Sequence, residues 1–348
     1  MRSFQSAATF DPVPGHVVRA LRQVDRSSGT EARHRHQLPQ LLEALQEQAR
    51  IESVAASSAI EGVVVDASRM PALVSDQRDG RFRNRNEAEF AGYRVAMDYL
   101  HNDDPGALTV GLVLHLHRLL FQFTEGRGGH FKGDDNLVVE RDADGSRRVR
   151  FQPVSARDTP RFTEELVVRT DAALAGDEHH PLLVIAAFAL DLLCIHPFAD
   201  GNGRVARLVT AYLLERAGYG VGRYVSIEQL IYETRHWYYA ALGLSTVGWF
   251  DDGRHVLWPW AGYLVERLAT AYDRLEARVA AATTGGTKQD RVRDFVLLQG
   301  PGAFTIADIR AGVVGVSDQT IRLVLGELRR AGRVAVDGVG RGATWHRL

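Results

Sequence analysis

The stretch that most constrains the fold is Leu182 to Ile195, apolar almost all round and broken only by Asp191. A helix without a polar face must lie in the middle of a domain, covered on every side. Pro197 ends it, because a proline disfavours helical geometry in the residue before it, and this places His196 at the last turn, facing whatever the next loop encloses. Val205, Leu208, Val209, Tyr212 and Leu213 then recur at helical spacing and Gly218 supplies a stop, so a second helix is expected from near Gly203 to about Ala217. Gly201 and Gly203 let the loop bend and come close to a ligand, and their N–H groups meet the positive end of that helix. Helix, tight loop and helix together make an anion-binding cradle. Arg204 and Arg207, three apart at the helix start, are expected to reach two successive phosphates.

The groups needed for nucleotidyl or phosphoryl transfer all fall inside this segment. His196 suits a general base, Asp200 a magnesium ligand, and Asn202 a donor to a phosphate oxygen. Taken singly these are ordinary features: His before Pro marks a helix end, and Gly-Asn-Gly marks a turn. The whole string, His196-Pro197-Phe198, Asp200, Gly201-Asn202-Gly203-Arg204 and Arg207, resembles the signature of the Fic family without departure. The resemblance implies a mainly α fold, a Fic-type helical core with a β-hairpin flap. It implies an ATP-dependent protein adenylyltransferase that moves AMP onto a Ser, Thr or Tyr hydroxyl of a target protein, with ATP as substrate and Mg2+. His196 would be the base, Asp200 the metal ligand, Gly201 to Arg204 the holders of the α- and β-phosphates, and Arg207 the holder of the γ-phosphate. Gly201 favours AMP over phosphate transfer, since family members that transfer phosphate carry a bulkier basic residue there.

Upstream, Leu38, Leu41, Leu42 and Leu45 open a helical pattern that continues to about Ile60, with Pro39 tolerable near its start. It ends in Ser57-Ser58-Ala59-Ile60-Glu61-Gly62, by itself a helix end with a glycine stop and a surface carboxylate. Beside the later motif this string resembles the Fic inhibitory helix, with Ser57 and Glu61 in the signature positions. A Glu61 carboxylate delivered to Arg207 would form a bidentate pair and take the place of the γ-phosphate.

Two helical patterns follow, Asn86 to Leu100 and Leu108 to Phe121. The second carries His115 and His117, whose spacing sends them to different faces, so packing or solvent exposure reads better than metal binding. Leu137 to Glu140 and Arg148 to Gln152 read as a hairpin joined by Asp142-Ala143-Asp144-Gly145. The resemblance makes it a flap beside the active site, able to hold a target segment by main-chain hydrogen bonds. Ser226-Ile227-Glu228-Gln229 reads as a capping box for a helix through Leu242, carrying Tyr238 and Tyr239. Core packing is the ordinary role of such a pair; the resemblance places them near the adenine. A long helix from about Trp258 to Ala281 runs into a stretch without periodicity, read as a linker.

From Gln289 the organisation changes. A helix from Asp290 to Leu298, a capping box at Thr305-Ile306-Ala307-Asp308 for a short helix to Gly312, and a third helix, Asp318 to Arg330, capped by Ser317, precede strands at 334–336 and 344–346. That is the layout of a winged helix-turn-helix domain, the third helix in the recognition position. Residues 288–348 hold ten Lys and Arg against six Asp and Glu, while the whole chain has a formal net charge of -1. Arg322, Arg329, Arg330, Arg333 and Arg341 are the candidates for DNA phosphates, and a protein-binding or dimerising role is the alternative.

The expected division is therefore 1–105, an N-terminal helical segment with the inhibitory helix; 106–280, the Fic core and following helices; 281–288, a linker; and 289–348, the winged helix. With 348 residues and 45% hydrophobic composition the chain has room for two or three domains. The single cysteine, Cys194, lies in the apolar run, reads as a core thiol and excludes an internal disulfide. Without a run near the ~18 apolar residues of a membrane helix, or a signal-peptide core in residues 1–12, the expected setting is the cytoplasm and no membrane. The sequence leaves a homodimer open. A second reading of function is a nucleotide-sensing transcriptional regulator that needs no target protein.

Overall fold

The computed structural model describes all residues except 1, 6–8, 67, 75–81, 104, 127, 142–146, 252–253, 284–286, 300–301, 314, 339–342 and 348. The chain is mainly helical. Helices α1 (Gly15–Gln37), α2 (Pro39–Ile60), α3 (Met70–Val74), α4 (Arg85–Asn102) and α5 (Val110–Phe121) lead to a hairpin of β1 (Val138–Arg141) and β2 (Arg147–Phe151). Then come α6 (Thr159–Ala175), α7 (Pro181–Ile195), α8 (Asn202–Arg216), α9 (Ile227–Glu233), α10 (Arg235–Thr246) and α11 (Trp258–Thr283).

Nearly every residue of α7 is buried, as its unbroken apolar surface requires. The one exception to its apolarity, Asp191, is fully buried too, and it accepts from Ser3 N (3.1 Å), Ser3 Oγ (2.7 Å) and Trp249 Nε1 (2.6 Å). Burial pushes this carboxyl up to about 6, against the lowering effect of those donors. Helices α6, α8, α10 and α11 pack around α7, and α1 lies along α11. The sequence pattern starts its helices at Leu38 and misses α1. Its buried apolar residues form a narrow stripe, Val17, Leu21 and Val24, in an otherwise polar and charged segment.

Three further expectations are corrected. The helix expected from Ser226 to Leu242 is two helices, because Thr234 has φ -118°, ψ 26° and its hydroxyl donates to Leu230 O at 2.7 Å. The capping box there is half formed: Ser226 Oγ accepts from Gln229 N (2.9 Å), while the Gln229 side chain turns to Glu233. The linker is shorter than expected, since α11 continues to Thr283 and Thr287 caps the next helix with a complete box to Asp290. The hairpin forms as expected, with its turn outside the described residues.

The C-terminal part has a hydrophobic core of its own, Val292 to Val334, sharing no residue with the main one. It contains α12 (Lys288–Asp294) extended by a π-helical turn to Gln299, α13 (Ile306–Gly312) behind the Thr305–Asp308 box, and α14 (Asp318–Arg330) capped by Ser317. Its sheet is three-stranded, in the order β3 (Ala303–Phe304), β5 (Thr344–Arg347), β4 (Val334–Asp337), all antiparallel. The two-residue β3 is too short to leave a sequence signal. α13 lies against α2. Among the described residues no helix is long and apolar enough to cross a membrane.

Candidate active site

The loop between α7 and α8 carries the motif. His196 is the C-cap of α7 in left-handed geometry, φ 53° and ψ 61°, so the chain turns sharply at the residue before Pro197. Its Nδ1–H donates to Leu193 O at 3.2 Å, which leaves Nε2 with the lone pair. Burial first, and Lys132 after it, lower the imidazole to about 4; Leu193 O, Glu61 and Asp200 act the other way. His196 is thus neutral at pH 7, as a base must be.

Gly201 has φ 79°, and a Cβ on it would stand 2.8 Å from Phe121 Cε2 and 2.9 Å from Leu120 Cδ2. Both conformation and space therefore demand glycine. At Gly203 a Cβ would collide with Glu61 Oε1 and meet Arg207 Nη1 at 3.2 Å, so the Glu61 carboxylate lies directly on the first turn of α8. A carboxylate of the chain itself thus lies where the sequence pattern placed an anion-binding cradle.

Arg207 is 6% exposed and holds that carboxylate in place. Its Nη2 donates to Glu61 Oε1 (2.9 Å) and to Ser57 O (3.0 Å), and its Nε donates to Ser57 Oγ (2.9 Å). Ser57 and Glu61 lie four apart on α2 and so share a face. The expected bidentate Glu61–Arg207 pair is corrected to a single contact: Ser57 takes Nε and shares Nη2 with Glu61, and the buried Nη1 has no hydrogen-bond partner among the described residues. Burial works against the Arg207 charge, and Glu61, Tyr238 and Tyr93 together more than offset it.

Arg204 goes elsewhere. It is 2% exposed, pairs with the buried Glu89 of α4 at 2.5 Å, and lies over the Phe121 ring. The two arginines thus diverge toward α4 and α2 instead of standing side by side. Asn202 braces the loop: its Oδ1 accepts from Phe198 N (2.9 Å) and its Nδ2 donates one N–H to Phe198 O (2.8 Å). Asp200 is exposed, accepts from Gly201 N (2.6 Å) and takes Arg85 Nη2 on its second oxygen at 3.0 Å. Tyr238 is buried and packs against Trp260, Tyr263 and the half-buried Tyr239, and the Tyr239 hydroxyl donates to Ile60 O at 3.2 Å, fixing the end of α2 next to Glu61.

Several residues of the site carried no signal in the pattern. Arg85 and Glu89 reach it from the far helix α4. His117 is buried, stacks on Phe198, accepts from Gly129 N on Nδ1 (3.0 Å) and donates from Nε2 to Asp200 O (3.2 Å); it packs, as the spacing implied, and it braces the Asp200 backbone. Burial lowers this ring to about 4. Cys194 is a buried thiol pushed well up by burial. In the C-terminal part Arg322, Arg329, Arg330 and Arg333 are exposed, and Arg341 lies outside the described residues.

Residues 107–214 match the model of the Fic/DOC family. The protein adenylyltransferase Fic of Culex quinquefasciatus is 27% identical over 225 residues, covering 61% of this chain and 40% of that protein. The chain spans less than half the length of such relatives. A 31-residue stretch is 68% identical to a ribonucleoside-diphosphate reductase small chain of Ostreid herpesvirus 1, over 9% of this chain and 5% of that one. In three dimensions a Fic family protein from Desulfovibrio desulfuricans G20 superposes with a TM-score of 0.62 at 19% identity, covering 97% of each chain. At that identity the likeness speaks for the fold.

Proposed function

We propose that the chain is a protein adenylyltransferase held off by its own Glu61. The observation that carries the reading is the carboxylate in the cradle: Glu61 sits on Gly203 and against Arg207, where a phosphate would be bound, beside a neutral His196. The names of the curated relatives support the same chemistry. In the reaction the target hydroxyl oxygen bonds to the α-phosphorus of ATP, the bond from that phosphorus to the β-bridging oxygen breaks, and pyrophosphate leaves. The hydroxyl proton passes to His196 Nε2. The α8 N-terminus offers N–H groups to the phosphates, and Arg207, released from Glu61, takes the γ-phosphate.

Asp200 is the residue that would hold Mg2+. No group of three or more His, Cys, Asp or Glu is placed to hold a metal among the described residues, so the ion would be shared between one carboxylate and the substrate phosphates, which is how Mg2+ is commonly held. The exposed Asp200 fits this once Arg85 gives up its oxygen. When bound, the ion would neutralise phosphate charge.

The test is auto-labelling with ATP and Mg2+. Glu61→Gly should raise the rate at least tenfold, since a charge-assisted bond of this kind is worth about 1.5–3 kcal/mol. Arg207→Ala should not mimic it, because it removes lock and γ-phosphate site together. A folded, ATP-binding Glu61→Gly protein no faster than wild type would reduce Glu61 to an ordinary helix-end carboxylate. The exposed arginines of α14 favour a second reading, a nucleotide-sensing regulator that binds DNA. Labelling of no protein, together with a shift of DNA by the chain, would put that reading first.

A further inference from the structure

His196 is the one non-glycine residue with positive φ among those described. Such a conformation is strained for an L-residue, and it persists only where the surroundings over-determine it. Here they do so from one short segment between α5 and β1. Lys132 Nζ donates to Ile195 O (3.2 Å), Lys132 N donates to Pro197 O (2.9 Å), and Asn136 Nδ2 donates to Phe198 O (3.0 Å). Lys132 Nζ also donates to Asn136 Oδ1 at 2.8 Å, which ties the two side chains together. The carbonyls on both sides of His196 are thus gripped by residues 132–136.

We propose that Lys132, partnered by Asn136, is the positioning residue for the His196 base, holding the left-handed turn that aims the imidazole at the cradle. The inference rests on the reading of His196 as the base. Lys132 is 5% exposed, and an ammonium without a full shell of water is retained only where it is compensated. Its compensation is the carbonyl end of α7, where the helix dipole favours a cation. Burial lowers Lys132 to about 8, so at pH 7 it is still mostly charged. That charge, with burial, opposes protonation of His196, while Glu61 and Asp200 favour it.

The test compares Lys132→Met, Lys132→Arg and Asn136→Ala in a Glu61→Gly background, reading kcat and KM for ATP alongside the NMR titration of the His196 imidazole. Lys132→Met should lower kcat tenfold to about a hundredfold, the scale of a misplaced catalytic group, with KM for ATP within about twofold. It should also move the imidazole titration upward. Lys132→Arg, which keeps charge and donors, should restore most of kcat. Asn136→Ala should show the same signature in weaker form, and it decides the matter if Lys132→Met does not fold. An unmoved titration, or a loss that arginine does not restore, overturns the proposal. If the Glu61→Gly parent transfers nothing, the functional reading fails, and the titration alone still judges Lys132.

Discussion

Arginine does opposite work in the two hydrophobic bodies of this chain. In the helical core Arg204 and Arg207 are buried, and each is committed to carboxylate or main-chain oxygen brought from a distant helix. On the C-terminal module Arg322, Arg329, Arg330 and Arg333 face solvent, while Arg293 and Arg310 are paired at the surface with Glu327 and Asp318. A buried charge is held to one geometry because losing its partner is expensive; an exposed one acts through a salt-screened field. Position and preorganisation are thus the currency of the first region, and net charge that of the second.

The largest effect should come from the group that depends wholly on position. His196→Ala in the Glu61→Gly background is expected to slow transfer by ~10²–10⁴ while ATP binding stays nearly intact. Labelling at the parental rate would remove His196 from the base role. Next comes the contrast of pairs. Glu89→Ala strands Arg204 and should cost about 3–5 kcal/mol of unfolding free energy, whereas Glu327→Ala, opposite a half-exposed Arg293, should cost about 1 kcal/mol or less. Denaturant melts of the two variants giving equal losses would break the comparison.

Acidity should separate the regions too. His117, His196 and His255 are all lowered to about 4, chiefly by burial. A lowered histidine contributes stability in full above its ordinary value of about 6.5, and the contribution is lost as pH falls from there toward 4, where the unfolded chain binds the extra protons. Asp191, raised to about 6, has the opposite sign over an overlapping range. With three groups against one, the core should lose stability on acidification from pH 6.5 to 4; a melting temperature flat across that window would contradict the assignment. If His196 is the base, labelling by the Glu61→Gly protein should persist down to about pH 4, well below the ordinary histidine limb.

The smallest effect is expected at the surface. If α14 meets DNA, Arg322→Ala or Arg329→Ala should each reduce the slope of log affinity against log salt by about 1, alike for all sequences. No shift of any DNA at low salt would assign the module to a protein partner.

How much of this was legible in the chain follows the range of the forces involved. The α7 and α8 helices, the loop between them, the hairpin strands and the capped helices of the C-terminal module are local matters, fixed by periodicity, proline, glycine and caps. The motif residues are contiguous, so their shared site could be read without a fold. The Ser57–Glu61 spacing on α2 could be read as well, but only resemblance connected it to Arg207, and the division of that guanidinium between Ser57 and Glu61 needed the packing of α2 over α8. Arg85, Glu89, Lys132 and Asn136 gave no sign of a role. They act on the loop from segments distant in sequence, α4 and residues 132–136, through main-chain carbonyls or carboxylates whose direction no sequence pattern encodes. Local chemistry was determined by the order of residues. Which arginine is locked, which asparagine is spent on bracing and what holds His196 in its strained turn were decided only in three dimensions, because burial sets the cost of leaving a polar group unpaired and tertiary contact alone supplies the partner.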